Sequence, residues 1–187
     1  MPQTDDQTIL EHLRRPATRE RGYRVLMETY QERLYWQVRR IVHVHADADD
    51  ALQNTFIRAF KSIDKFRGEA SLYTWLYRIA TNEALQIRRK QSRQPATVDL
   101  NDADEQSNLM NRLRADPHFD GTAAQALLYA AIDQLPERQA EVFRLRYFDE
   151  MPYREMGELL DLSTGALKAS YHHAVTKIKS YVRQYQA

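Results

Sequence analysis

The sequence predicts an all-α protein: two small helical domains joined by a flexible acidic linker, the second containing a helix-turn-helix. Three observations carry this reading. Apolar residues recur three or four apart almost throughout, the period of a helix buried on one face. Only 5 Gly and 6 Pro occur in 187 residues, and no Asn-Gly or Asp-Gly turn separates alternating runs, which argues against a turn-rich β protein. Between two such helical stretches, residues 95–121 turn polar and acidic and are bracketed by Pro95 and Gly121.

Composition narrows the function. The chain is 43% hydrophobic and 28% charged, enough to bury cores. Its net charge is only +1, but the charges are segregated. Positive residues cluster at 58–67, 88–93 and 168–183, and negative ones at 47–50 and 99–105. Basic patches on a nearly neutral protein suit a polyanion. The absence of cysteine excludes disulfides, thiolate zinc sites and thiol catalysis. The opening "MPQTDDQTIL" lacks the apolar core of a signal peptide. No apolar run approaches the roughly 18 residues of a membrane span. The expectation is a soluble, cytoplasmic protein that is not itself inserted in a membrane.

Residues 1–18 read as an N-terminal tail, and 19–94 as the first domain. "YRVLMETYQERLYWQVRRIV" puts Tyr23, Leu26, Tyr30, Leu34, Val38 and Ile41 on one face. "DADDALQNTFIRAFKSIDKF" does the same with Leu52, Phe56, Ala59, Phe60 and Ile63, and its acidic start suits a helix N-terminus. "SLYTWLYRIATNEALQIRRK" adds Leu72, Trp75, Leu76, Ile79 and Ala80; Trp75 is expected in the core. Gly68 breaks the chain between these last two helices, inside "FRGEAS". In the linker, Leu109, Met110 and Leu113 support one weak turn; fully extended, its residues would reach roughly 90 Å.

The second domain, 122–187, holds "AAQALLYAAIDQL", then helices opened by Pro136 and Pro152. Tyr153 to Ala174 has helix-turn-helix spacing. Gly157 is the small residue expected where the second helix crosses close, and Asp161 sits at a sharp, left-handed turn. Leu162 plugs the turn, Ser163 caps the next helix, and Leu167 anchors it. On that helix Leu167, Tyr171, Ala174, Ile178 and Val182 face inward. Lys168, Ala169, His172, His173 and Thr176 lie toward the other side. Such a helix reads bases from its N-terminal part, here Lys168 and His173 with Ser170 and His172 nearby. Ser163, Thr164 and the free amides suit a phosphate.

Taken together, the motifs resemble one family. "LPERQAEVFRLRYFDEMPYREMGELLDLSTGALKASYHHAVTKI" looks like the promoter-binding C-terminal domain of an extracytoplasmic-function sigma factor. "DADDALQNTFIRAF", "FRGEASLYTWLYRIATNEA" and the basic tail after it resemble that family's N-terminal domain, in the same order. The resemblance implies a protein that binds core RNA polymerase, at its clamp and flap regions, and directs it to chosen promoters. It implies binding to promoter DNA both as duplex, at the minus-35 element, and as single strand, at the minus-10 element. It also implies inhibition by an anti-sigma factor. By position, Asp50, Gln53, Asn54 and Phe56 fall where the family meets the clamp. Phe66, Arg67, Gly68, Ser71 and Asn82, with Arg88 and Arg89, fall at the minus-10 site. Ser163, Thr164, Lys168, Ser170, His172 and His173 fall at the minus-35 site. Many members are rich in arginine where this chain has "KASYHHA", so the sequence departs there from the commoner pattern, at Ala169 and the two histidines.

Two other classes compete. A helix-turn-helix regulator acting without polymerase would leave the first domain's motifs unexplained. A metal-dependent nucleic-acid enzyme would use Asp47, Asp49 and Asp50 with His43 and His45, but alternate positions do not converge on one helix face. No nucleophile–base pair or phosphate-binding glycine loop is evident, so neither an enzyme, a cofactor nor a metal is expected. The compositional break makes a direct prediction. Limited proteolysis should cut first between Pro95 and Gly121, and equally rapid cleavage between Tyr23 and Arg89 would count against that boundary.

Overall fold

A computed structural model describes residues 6–93, 116 and 122–186, and its regular elements are all helices. The chain falls into two compact units that part at 99/100. The weak turn expected at Leu109, Met110 and Leu113 lies outside the described residues, as does nearly all of the linker.

The first unit contains α1 (Asp6–Arg14), α2 (Arg19–Val42), α3 (His45–Ser62) and α4 (Leu72–Arg93). Short 3-10 turns at Pro16–Thr18 and Ile63–Lys65 follow α1 and α3. α2 packs against the other three helices, and α3 packs against α4. The expected stripe of α2 is buried at Tyr23, Leu26, Leu34, Val38 and Ile41, with Tyr30 half-buried. α2 ends without a glycine. His43 takes the left-handed conformation (φ 67°), and its N–H donates to the Arg39 carbonyl at 2.8 Å.

Three expectations need correction. Residues 6–14 are not part of a tail. They form a helix whose Ile9 and Leu13 are fully buried in the same core as Leu26 and Leu72. Burying each such side chain contributes about 1.5–3 kcal/mol. The helix lies so close to α2 that a Cβ on Gly22 would stand 2.9 Å from the Leu13 backbone nitrogen. The buried face of α3 is also rotated from the one expected. Ala48, Ala51, Thr55 and Ala59 point inward, Leu52 and Phe56 lie at the margin, and Phe60 is 53% exposed. Small residues win the interior because α4 presents Leu72, Leu76, Ala80 and Ala84 at four-residue spacing, and the two helices meet closely. Trp75, expected in the core, is half-buried at its edge, with its ring 5.2 Å from that of Phe66.

The second unit contains α5 (Ala123–Asp133), α6 (Glu137–Tyr147), α7 (Tyr153–Leu160) and α8 (Thr164–Gln186). α5 opens on a reciprocal cap. Thr122 Oγ1 accepts from the Gln125 N–H, and the Gln125 side chain accepts from the Thr122 N–H. Pro136 and Pro152 stand at the N-caps of α6 and α7, one position before the first turn. α8 packs on the other three helices. Its Leu167, Ala174 and Ile178 are buried, with Tyr171 and Val182 packed at the margin of the core around Phe143 and Ile132.

The helix-turn-helix has the expected turn, for a partly different reason. Asp161 is left-handed (φ 56°), and Ser163 Oγ accepts from the Ala166 N–H at 3.2 Å. Gly157 is required by the turn itself, more than by the crossing helix. A Cβ there would stand 2.9 Å from the Leu162 carbonyl oxygen, whereas Leu167 Cδ1 is 4.0 Å away. The Leu162 N–H in turn donates to the Gly157 carbonyl. Gly157→Ala should therefore destabilise the second unit by about 1–3 kcal/mol. Both tryptophans, Trp36 and Trp75, lie in the first unit. Denaturation should show an earlier helix-loss transition by circular dichroism with an unmoved tryptophan fluorescence transition; coincident shifts would show that the two units unfold together.

Candidate polymerase and nucleic-acid interfaces

Three outward surfaces carry the predicted residues. The first is a stripe on α3. Asp50, Gln53 and Asn54 are exposed there, three or four residues apart. The same stripe continues through Ile57 (50% exposed) and is edged by Phe56 and Phe60. Ile57 was not singled out in the sequence, where it stands between Phe56 and Arg58 off the expected apolar face. Exposed large apolar side chains beside hydrogen-bonding groups suit a protein partner rather than DNA. At the base of this surface Tyr23 donates to the Phe60 carbonyl at 2.9 Å, and its ring lies 4.3 Å from the Phe60 ring. Burial pushes the Tyr23 phenol above its ordinary range, so it remains a donor.

The second surface runs from the 66–71 loop along α4. Gly68 is left-handed (φ 77°) with open space around it, so its backbone alone needs glycine. Arg67 and Gly68 are exposed, while Phe66 is half-buried against Trp75. Ser71 is less free than its sequence position suggests. Its Oγ accepts from the Thr74 N–H at 3.1 Å and so caps α4. Asn82 is exposed in mid-helix, seven residues and about 10 Å beyond Trp75 along the axis. Spacings of three and four bring Trp75, Arg78, Asn82, Gln86 and Arg89 toward one side of the helix. Arg88 is half-buried. Tyr73 points instead toward α2, where the Arg33 guanidinium covers its ring at 3.7 Å. One residue further along α4 from Asn82, Glu83 is buried and forms an ion pair with Arg58 of α3 at 2.6 Å, without hydrogen-bond alignment.

The third surface is the outer side of α8. Ser163, Thr164, Lys168, His172 and His173 are exposed, and Ser170 is half-buried. The two histidine rings are 6.1 Å apart and edge-on, so they point to different places. The structure adds a group that sequence reading passed over. Tyr153 has Arg146 at 5.3 Å and Lys168 at 5.9 Å from its ring centre. Arg146 also donates to the Glu150 and Met151 carbonyls, both at 3.2 Å, which holds the left-handed turn at Glu150. Arg146 and Lys168 lie 22 residues apart in the chain, so no local pattern announces that they share one aromatic ring.

Of the residues considered for a metal, His45, Asp47 and Asp49 have other partners. His45 Nδ1 is 2.8 Å from the Tyr35 hydroxyl, and its Nε2 is 3.3 Å from Asp49. Asp47 accepts from the Gln91 amide at 2.9 Å. They tie α2, α3 and α4 together.

Two family models match the chain, one in each unit. The Sigma-70 region 2 model matches residues 26–94, and the Sigma-70 region 4 model matches 125–178. The chain belongs to the extracytoplasmic-function sigma factors. The ECF RNA polymerase sigma-E factor of Haemophilus influenzae is 27% identical over 97% of each chain. That of Escherichia coli is 28% identical over 97% of this chain and 96% of its own. Among solved structures, CnrH in complex with the cytosolic domain of CnrY superposes with a TM-score of 0.65 at 19% identity. That match covers 96% of this chain and 97% of the other. Bartonella quintana RpoE, in complex with the anti-sigma factor NepR, gives 0.59 at 18% identity over 86% and 96%. This sigma factor is thus a polymerase-binding initiation factor and not an enzyme. The match to region 2 sets aside a helix-turn-helix regulator that ignores polymerase. Among the described residues, no helix is long and apolar enough to cross a membrane.

Proposed function

We propose that the three surfaces divide the work of initiation. The α3 stripe of Asp50, Gln53, Asn54 and Phe56, extended by Ile57 and Phe60, docks on the polymerase clamp. The 66–71 loop and the Asn82 side of α4, with Arg88 and Arg89, hold the separated strand of the minus-10 element. The outer side of α8 enters the major groove of the minus-35 duplex, while its unit meets the polymerase flap. Lys168 and His173 read bases, helped by Ser170 and His172. Ser163, Thr164 and Arg146, held beside Tyr153, contact phosphates. Solved relatives are complexes with anti-sigma or partner chains, which supports an anti-sigma factor as this protein's inhibitor in the cytoplasm. The domain limits that go with this are 19–94 and 122–187 around a linker at 95–121, with α1 joined to the first.

The observation that carries the reading is Asn82. Asparagine is a poor residue for a helix interior, yet here it is exposed in mid-helix, in line with the Phe66–Trp75 contact. Its amide offers both donor and acceptor, enough to read the edge of one unpaired base.

Two experiments test this. Asn82→Ala should leave core-polymerase affinity and minus-35 binding nearly unchanged. It should cut open-complex formation roughly ten- to a hundred-fold, the equivalent of the few kcal/mol that unstacking a base costs. Permanganate footprinting of minus-10 thymines measures this, and a pre-mismatched minus-10 template should recover the melting but not the sequence preference. Normal opening by the mutant, or simple failure to bind polymerase, would defeat the assignment. On duplex minus-35 DNA, Lys168→Ala and His173→Ala should each cost about 1–3 kcal/mol on the preferred site and relax specificity. Arg146→Ala should weaken all sequences alike. A uniform loss for His173→Ala would reassign it to phosphate.

A further inference from the structure

We infer that α1 is a strut for the strand-capturing loop, and that Asp6 is the positioning residue that connects them. α1 precedes the span matched by region 2, which begins at residue 26. Its own burial explains why it folds, but not why its first residue reaches away from it. The Asp6 carboxylate accepts from the backbone N–H of Leu72 at 2.9 Å, across 66 residues of sequence. The same carboxylate accepts from the Tyr30 hydroxyl of α2. Leu72 is the first residue of α4, the point where the 66–71 loop hands over to the helix that carries Asn82.

The start of α4 therefore has two caps. Ser71, from within the loop, takes the Thr74 N–H. Asp6, from the far end of the unit, takes the Leu72 N–H. A carboxylate at this place also faces the positive end of the α4 dipole, and it lies in the first turn of α1 as well. One charge thus serves two helix N-termini and a phenol.

The strut is held rigidly. Ile9 and Leu13 are fully buried, and the Gly22 contact leaves no space between α1 and α2. Thr18 Oγ1 donates to the His12 carbonyl at 3.0 Å and closes the turn after α1. Beyond Asp6, α1 and the loop face each other across a cleft of about 400 Å³. Gln7, Leu10, Glu11 and Arg14 form one side, and Phe66, Gly68 and Ala70 the other. Gly68 gives the loop its conformational freedom, and Asp6 limits that freedom at the loop's C-terminal end. A base pocket that must close at one position needs such a fixed end.

The inference rests on the proposed role of the loop in holding the minus-10 strand, and the experiment separates the two. Hydrogen exchange in the full-length protein reads the amides of 67–73 directly. Permanganate footprinting with core polymerase reads opening. Asp6→Ala should speed exchange at Leu72 roughly two- to thirty-fold, the range for loss of an N-cap, and should reduce open-complex formation by a similar factor. Core-polymerase affinity, minus-35 binding and the tryptophan-detected melting of the first unit should stay near those of the parent. Asp6→Asn keeps an acceptor oxygen and should recover most of both effects. Tyr30→Phe, which leaves the carboxylate on Leu72, should fall between parent and Asp6→Ala. Unchanged exchange in Asp6→Ala overturns the strut. Faster exchange with unchanged opening overturns the loop's role in strand capture, and with it any need for a strut. Losses of opening and core affinity in equal measure would show general damage and overturn the positioning role.

Discussion

The close seam between α3 and α4 is the constraint on which the first unit depends. Ala48, Ala51 and Ala59 on one helix meet Leu72, Leu76, Ala80 and Ala84 on the other. Alanines let two backbones approach, and α2 then closes the core with Leu26, Leu34 and Val38. Because that seam has no space for large side chains on α3, the larger ones are displaced. Leu52 and Phe56 move to the margin, and Ile57 and Phe60 to the exterior. The apolar surface offered to a partner is thus a consequence of tight packing on the opposite side of the same helix. Asn82 is placed by the same seam, since burying Ala80 and Ala84 turns it to solvent.

The second unit works by the complementary rule. Its long helix α8 is held by a narrow inward stripe, Leu167, Ala174 and Ile178, with Tyr171 stacked at 5.8 Å on Phe143. The narrowness of that stripe leaves most of the circumference of α8 free. The proposed fit of α8 into a groove about 12 Å wide needs that freedom on one side and firm anchorage on the other. The turn into α8 supplies part of the anchorage, through Gly157, Asp161 and the Ser163 cap.

Much of this was legible in the sequence, and the exceptions have physical causes. Helix identities, the cap at Ser163 and the outward side of α8 follow from periodicity and local hydrogen bonding, both of which are written in neighbouring residues. α1 was missed because its signal is short: Ile9, Leu10 and Leu13 after a single acidic start, cut off by Pro16. α3 was rotated because hydrophobicity ranks phenylalanine above alanine for burial, while the partner helix admitted only the smaller residue. Asp6 to Leu72 and Arg146 to Lys168 join distant parts of the chain through a backbone amide and an aromatic ring, so no spacing rule could find them. Of the residues expected at the minus-10 site, Ser71 had to be seen in place to show that its hydroxyl already serves the helix.

Among the described residues, three bends use residues with side chains where glycine is the easy choice: His43, Glu150 and Asp161 are all left-handed. Each conformation costs an L-residue roughly 1–2 kcal/mol. That energy is stored in hinges that do not fold equally well any other way, because surrounding contacts fix them. A glycine at Asp161 would relieve the cost and widen the range of angles between α7 and α8. With the stiffer hinge in place, the orientation of α8 is transmitted to the body of its domain as a lever transmits force, with little lost motion at the joint.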